Sequence, residues 1–177
     1  IKRTFDLVVS ASLLLLLAPL LIAVAIGIRL DSPGKALFRQ SRKGFNQEKF
    51  EIFKFRTMRL ALPGEGFRQT DQNDSRITRV GGFLRRWNID ELPQLINVLR
   101  GEMSLVGPRP HAIEHDDMYY DKIAAYARRH NIKPGITGLA QALGHRGATT
   151  TLKQMQDRLD CDVTYIQNWS LLLDLKI

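Results

Sequence analysis

Asp90 and Glu91 stand side by side in the run Arg85-Arg86-Trp87-Asn88-Ile89-Asp90-Glu91-Leu92-Pro93. Two chemistries suit such a pair. Carboxylates ahead of a helix satisfy its free N–H groups and favour the positive end of its dipole, and Pro93 fits the same first turn. They also suit phosphoryl transfer, in which one carboxylate attacks phosphorus while its neighbour binds Mg²⁺ through hard oxygens shared with the phosphates. Arg85 would then neutralise the transferred group, and the helix N-terminus would help to hold it.

Two further clusters carry chemistry of the same kind. In Val106-Gly107-Pro108-Arg109-Pro110 two prolines fix the backbone around one arginine, which is either a rigid turn or a preorganised ligand contact. Lys54-Phe55-Arg56-Thr57-Met58 closes a strand-like run, so Lys54 and Arg56 face either water or phosphates. The turn Pro134-Gly135-Ile136-Thr137-Gly138 would let a nucleotide approach its backbone closely. His111 and His115 stand four apart, but no Glu adjoins the first and no third ligand follows, so a polar helix face is expected rather than zinc. Cys161 lies between Asp160 and Asp162, which disfavour a thiolate. No G-x-S-x-G, Walker A or G-x-G-x-x-G motif is present.

These residues need a scaffold, and charge and hydropathy outline it. The chain has 177 residues and a net charge of +8, with one cysteine, so a disulfide-stapled scaffold is excluded. Residues 1–59 hold 11 basic and 4 acidic side chains, a balance of +7. The same third contains 22 uncharged residues, 7–28, enough helix to span about 33 Å, close to a bilayer's hydrocarbon thickness. Three readings fit this segment: a spanning helix, a secretory signal and a re-entrant element. Basic residues lie on both sides of it (Lys2 and Arg3 before, Arg29, Lys35, Arg39, Arg42 and Lys43 after), without the asymmetry of a spanning helix. Pro19 would break the helix and return the chain to the face it entered from. Positive charge beside an apolar segment points to anionic lipid and away from nucleic acid.

The expected fold is α+β and mostly helical: a re-entrant membrane element over 1–30, then a compact domain over 31–177 containing a β-hairpin and amphipathic helices. The strands are expected at 36–40 and 49–55, a surface loop at 62–75, and helices at about 88–100, 113–130 and 151–169. The last residues, 169–177, read as an interfacial amphipathic segment.

Taken in order, Asp31-Ser32-Pro33-Gly34, Phe38-Arg39-Gln40, Lys54-Phe55-Arg56-Thr57-Met58, Asp90-Glu91-Leu92-Pro93-Gln94, Leu105-Val106-Gly107-Pro108-Arg109-Pro110 and Pro134-Gly135-Ile136-Thr137-Gly138 resemble the bacterial sugar transferases, the monotopic phosphoglycosyl transferases. The resemblance runs over essentially the whole chain. It implies transfer of a sugar-1-phosphate from a UDP-sugar to polyprenyl (undecaprenyl) phosphate with release of UMP, at the cytoplasmic face of the bacterial inner membrane, to begin surface polysaccharide synthesis. It implies Asp90 as the nucleophile that carries the phosphosugar and Glu91 as the Mg²⁺ ligand. Arg85, Lys54, Arg56, Pro108, Arg109, Pro110, Gly135 and Thr137 become substrate contacts. The family's re-entrant helix breaks at a Ser-Pro pair; this chain has Ala18-Pro19. His145-Arg146-Gly147 with Arg158, Asp162, Tyr165 and Trp169 resembles the large branch that transfers glucose or galactose phosphate, so UDP-glucose is the first expectation. A homo-oligomer is compatible with the sequence and not required by it. The competing readings are a basic membrane-surface binding module and a lipid-phosphate hydrolase.

Overall fold

The computed structural model describes residues 1–59, 74–123, 125–147, 149 and 151–177. Most of the loop expected at 62–75 lies outside them.

Helix α1 (Lys2–Asp31) is apolar along almost its entire length and runs about 45 Å. The interruption expected at Pro19 is absent: the proline sits inside one continuous helix. Pro19 lies on the exposed side of α1, where its ring displaces no packed neighbour, and the turns around it hold helical geometry despite the lost donor. Both ends of α1 are fastened to the same domain. Near the start, Lys2 Nζ meets the Asp174 carboxylate at 2.5 Å, and Arg3 donates to the carbonyls of Val98 and Leu99. Asp6 is buried and accepts from Ser104 Oγ at 2.8 Å and from the Leu105 N–H at 3.2 Å. At the far end Ile28 packs in a core cluster with Ala36, Phe55 and Leu84. Between the ends, Leu15, Leu16, Ile22 and Ile26 face outward, more than half exposed.

Strands β1 (Leu37–Lys43) and β2 (Lys49–Phe55) form an antiparallel hairpin in register from Leu37 opposite Phe55 to Lys43 opposite Lys49. The connection turns through Asn46 and Gln47 at positive φ, 50° and 62°. Helix α2 (Arg79–Arg86), which the sequence pattern does not announce, starts at Thr78, whose hydroxyl caps the Gly81 N–H at 3.0 Å. The helix expected over 88–100 is divided. Asn88 takes a left-handed conformation, a single 3-10 turn spans Ile89–Glu91, and α3 (Gln94–Arg100) begins after Pro93 and stops at Gly101, φ 84°. Left-handed Asn88 breaks the helical path on one side of the dyad, and Pro93, with no N–H to donate, marks the start of α3 on the other.

Strand β3 (Ser104–Val106) leads into the Gly107–Pro110 turn. Helix α4 (Ile113–Tyr120) ends well short of the expected 130, and a 3-10 segment, Tyr126–Asn131, follows. Strand β4 (Gly135–Thr137) pairs in parallel with β3. Three-residue strands are too short to show alternation, so this second sheet is not visible in the pattern. Helix α5 (Leu139–Ala142) is one turn. Helix α6 (Leu152–Gln167) opens with a capping box between Thr151 and Gln154, and α7 (Leu171–Lys176) is capped by Ser170. Tyr119, Ile123, Tyr126, Met155 and Leu159 form a core beneath α6, and Ile52, Val98 and Met103 form another between β2 and α3.

Candidate active site

The site begins with the edge of β2. Asn97 on α3 is fully buried; its Oδ1 accepts from the Phe53 N–H at 3.0 Å, and its Nδ2 donates to the Glu51 carbonyl at 2.6 Å. A side chain thus does what a neighbouring strand would do, leaving no buried backbone group of that edge orphaned there. This joins the strand bearing Lys54 to the helix that follows Asp90 and Glu91.

Lys54 Nζ donates to Glu91 Oε1 at 2.8 Å. Arg109 grips the same carboxylate with both terminal nitrogens, Nη1 reaching Oε2 at 2.9 Å and Nη2 reaching Oε1. Such forked, charge-assisted pairs are the strong kind. Burial pushes the Glu91 carboxyl up, but the charge and hydrogen bonds of Arg109, then those of Lys54, outweigh it and hold the group far below the usual carboxylate range. Burial and the neighbouring Arg109 charge push the Lys54 ammonium down, with Glu91 opposing them.

Asp90 differs sharply from its neighbour. Its carboxyl is half-buried and, among the described residues, no side chain donates a hydrogen bond to it. Burial raises its pKa and the Glu91 charge adds to the rise, against the attraction of Lys54 and Arg85. One carboxylate of the dyad is committed to Lys54 and Arg109, which favour its ionised form. The other has no side-chain donor among the described residues and is the more basic of the two.

Arg109 is aimed from behind. Gly107 N–H donates to the Thr137 carbonyl at 2.9 Å, and Gly135 N–H donates to the Pro108 carbonyl at 2.9 Å. A Cβ on Gly107 would lie 2.6 Å from the Lys133 carbonyl oxygen, so only glycine permits this backbone approach. Buried Arg129 donates from Nη2 to the Arg109 carbonyl at 2.5 Å and pairs with Asp162 at 3.2 Å. Burial and the Arg129 charge hold the adjacent His111 neutral, so the cation beneath the turn is the arginine.

The structure therefore brings together Asp90, Glu91, Lys54 and Arg109, with Arg85 acting on Asp90 through its charge. Pro108 and Pro110 flank the turn as expected. Gly135 and Thr137 do not open towards a ligand through their backbone; they hold Gly107 and Pro108. Arg56 is a correction. It lies one residue beyond β2, buried, with its guanidinium donating to the carbonyls of Ser32 at 2.6 Å, Ile28 at 3.5 Å and Pro33, so it closes the end of α1 instead of meeting phosphates. His111 and His115 are likewise buried, not on a polar face; His115 Nε2 lies 3.0 Å from Thr149 Oγ1. Arg158 reaches the Gly147 carbonyl, Asp162 pairs with Arg129, and Tyr165 and Trp169 both donate to Asp174, so this group buttresses the turn from α6 and α7.

Three residues of the site escaped sequence reasoning. Asn97 had one signal, a polar position between Leu95 and Val98 on the apolar face of α3. Arg129 had none. Arg42, whose pKa falls to about 10 through burial and then the charge of Arg109, is a third cation beside the clamp and was read only as part of the basic flank.

Mg²⁺ bound by one or two carboxylates completes its shell with phosphates and water. The dyad fits that chemistry. Glu91 uses three of its roughly four lone-pair sites on Lys54 and Arg109, which leaves one on Oε2. Among the described residues no three His, Cys, Asp or Glu side chains gather to hold a metal unaided.

A carboxyl of raised pKa beside a carboxylate clamped by two cations suits the binding and transfer of phosphoryl groups. Residues 1–177 match the bacterial sugar transferase family model, and the chain belongs to that family. A Caulobacter vibrioides protein named UDP-glucose:undecaprenyl-phosphate glucose-1-phosphate transferase is 54% identical over 99% of this chain and 66% of its own length. An Escherichia coli K12 protein of the same name is 48% identical over 100% of this chain and 38% of its own length. The exopolysaccharide production protein PSS of Rhizobium leguminosarum bv. phaseoli is 48% identical over 100% of this chain and 90% of its own length. The chain thus spans just under two thirds of the Caulobacter relative and about two fifths of the E. coli one.

Proposed function

We propose that this chain transfers glucose-1-phosphate from UDP-glucose to undecaprenyl phosphate through a covalent intermediate on Asp90. The inequality of the dyad carries the reading: Asp90 is raised and free to attack, while Glu91 is held ionised between Lys54 and Arg109. The names of the Caulobacter and E. coli relatives support the donor and acceptor.

In the first step an Asp90 carboxylate oxygen attacks the β-phosphorus of the donor. The bond from that phosphorus to the oxygen bridging the two phosphates breaks, and UMP leaves with the electron pair. In the second step a phosphate oxygen of the lipid attacks the same phosphorus, the acyl phosphate bond breaks, and Asp90 is restored. Arg85 and Arg109 offset the charge that builds on the phosphoryl oxygens. Glu91 is the residue that would hold Mg²⁺, which when bound supplies further positive charge at the diphosphate. Two steps let a water-soluble donor and a lipid acceptor use one site in turn, giving ping-pong kinetics.

The attachment of α1 supports a membrane placement. A straight spanning helix would put its ends on opposite faces of the bilayer, yet Lys2, Arg3 and Asp6 at one end and Ile28 at the other all hold one domain. That supports α1 meeting the membrane from the cytoplasmic face of the inner membrane with both ends kept on that side, its basic flanks on anionic lipid.

Incubation of the purified protein with Mg²⁺ and labelled UDP-glucose, followed by undecaprenyl phosphate, tests the proposal. Label should pass first to protein and then to lipid. Label passing to water at the same rate with and without acceptor would make it a hydrolase.

A further inference from the structure

Asp6 is 3% exposed, on a helix that carries no charge over the 22 residues that follow it. Among the described residues no Lys, Arg or His lies within ion-pair distance of its carboxylate. A buried carboxylate without a cation is costly, and an apolar side chain at that position would cost α1 less. What Asp6 holds must therefore explain it.

It holds β3. Ser104 N–H donates to the Pro134 carbonyl at 2.8 Å on the β4 side, so the Leu105 N–H points to the opposite edge of this two-stranded sheet. There Asp6 Oδ1 accepts from it at 3.2 Å, while Oδ2 accepts from the buried Ser104 hydroxyl at 2.8 Å. The Val106 carbonyl lies 3.0 Å from the Tyr165 hydroxyl, itself 2.6 Å from Asp174 Oδ1, and Lys2 pairs with the other oxygen of Asp174. Residues 104–106 are thus fastened one after another, and Gly107-Pro108-Arg109 follows directly. The same turns of α1 also reach the dyad's side. Arg3 donates to the Val98 carbonyl at 2.5 Å and to the Leu99 carbonyl at 3.0 Å, at the end of the helix that follows Glu91. Arg3 and Asp6 therefore grip the two segments whose far ends meet in the Glu91–Arg109 pair.

We propose that Asp6 is a positioning residue for Arg109: by fixing the free edge of β3 it sets the Gly107–Pro110 turn so that the guanidinium reaches Glu91 and the substrate phosphates. The role rests on the transferase reading for the phosphates, whereas the contact with Glu91 stands without it. The first turns of α1 thereby serve the site itself.

Single-turnover UMP release from UDP-glucose and Mg²⁺, measured on the full chain, tests the role. In Asp6→Leu the maximal rate should fall about tenfold or more while the half-saturating donor concentration stays within about twofold of the parent's. Asp6→Asn can still accept from Leu105 and donate to the Ser104 hydroxyl, so its rate should stay within about threefold of the parent's. In an Arg109→Ala background there is no guanidinium to aim, and Asp6→Leu should cost less than about twofold more. A full further loss in that background, Asp6→Asn as slow as Asp6→Leu, or an unchanged rate in Asp6→Leu overturns the proposal. Should Asp6→Leu fail to fold, Ser104→Ala takes its place: a loss of about threefold that vanishes beside Arg109→Ala supports the role, and one that persists there overturns it. A parent that released no UMP would defeat the transferase reading, and crosslinking would then decide the positioning. In a Cys161→Ser background, a short bismaleimide should bridge Glu91→Cys to Arg109→Cys about tenfold more slowly once Asp6→Leu is added, and equal rates would overturn the role.

Discussion

Asn97 and Phe53 share a hydrogen bond of 3.0 Å that fastens the strand carrying Lys54 to the helix following Glu91. The two cations of the clamp are thus set by separate devices, Lys54 by Asn97 and Arg109 by Arg129. Neither device touches the dyad.

Replacing Asn97 with Leu would leave the Phe53 N–H and the Glu51 carbonyl unpaired in a buried place, at about 1–3 kcal/mol for each orphaned group. Beyond the fall in melting temperature, amide exchange should quicken along β2, at 51–55, before it does along α6. Unchanged protection on β2 would mean that the stitch contributes little.

The dyad's two carboxylates should respond to pH with opposite sign. Glu91 has a depressed folded pKa, so its stabilisation is complete above its ordinary value of 4.5 and is lost as pH falls below it. Glu91→Gln should therefore cost about 3 kcal/mol near neutrality, where it leaves Lys54 and Arg109 facing each other, and less in acid. Asp90 has a raised folded pKa, so its ionised form costs stability above that pKa and the cost is relieved as pH falls through it. Asp90→Asn should melt higher than the parent at neutral pH, with the gap closing in acid. Denaturation of both variants across pH measures this directly.

The same raised pKa governs rate. Only ionised Asp90 attacks, so UMP release should climb as pH rises through a value above the ordinary 3.8. A profile flat into strong acid would exclude Asp90 as the attacking group.

Single-sided docking of α1 predicts its labelling pattern. With Cys161→Ser as background, cysteines placed at Ile1 and at Ser75, both exposed, should react with a membrane-impermeant reagent from the same face of sealed vesicles. Reaction from opposite faces would defeat the placement. Asp6→Leu should loosen β3, whose Ser104 Oγ and Leu105 N–H it holds, at about 1–3 kcal/mol, with faster exchange at 104–107.

Much of this arrangement is written in local pattern. The Asp90-Glu91 pair, the proline-fixed Arg109 and the hairpin ending at Lys54 stand out because their chemistry depends on residue type and near neighbours. What pattern does not show is partnership across the chain. Arg56 and Lys54 look alike in sequence, yet strand alternation aims Lys54 at Glu91 while Arg56, past the strand, finds the open carbonyls at the end of α1. Arg129 lies 20 residues from Arg109 and becomes its support only because β3 and β4 bring the segments together. Pro19 marks a helix break by local rule, but the ends of α1 are secured by Asp174, Ser104 and Leu84, and the helix continues through it.

The central claim is that Asp90 carries the phosphosugar, and intact-protein mass spectrometry tests it most directly. With UDP-glucose and Mg²⁺ but no acceptor, the protein should gain the mass of one hexose phosphate, located on the peptide containing Asp90, and should lose it when undecaprenyl phosphate is added. An unmodified protein that still turns over donor and acceptor, or an Asp90→Asn variant that gains the same mass, would contradict the account.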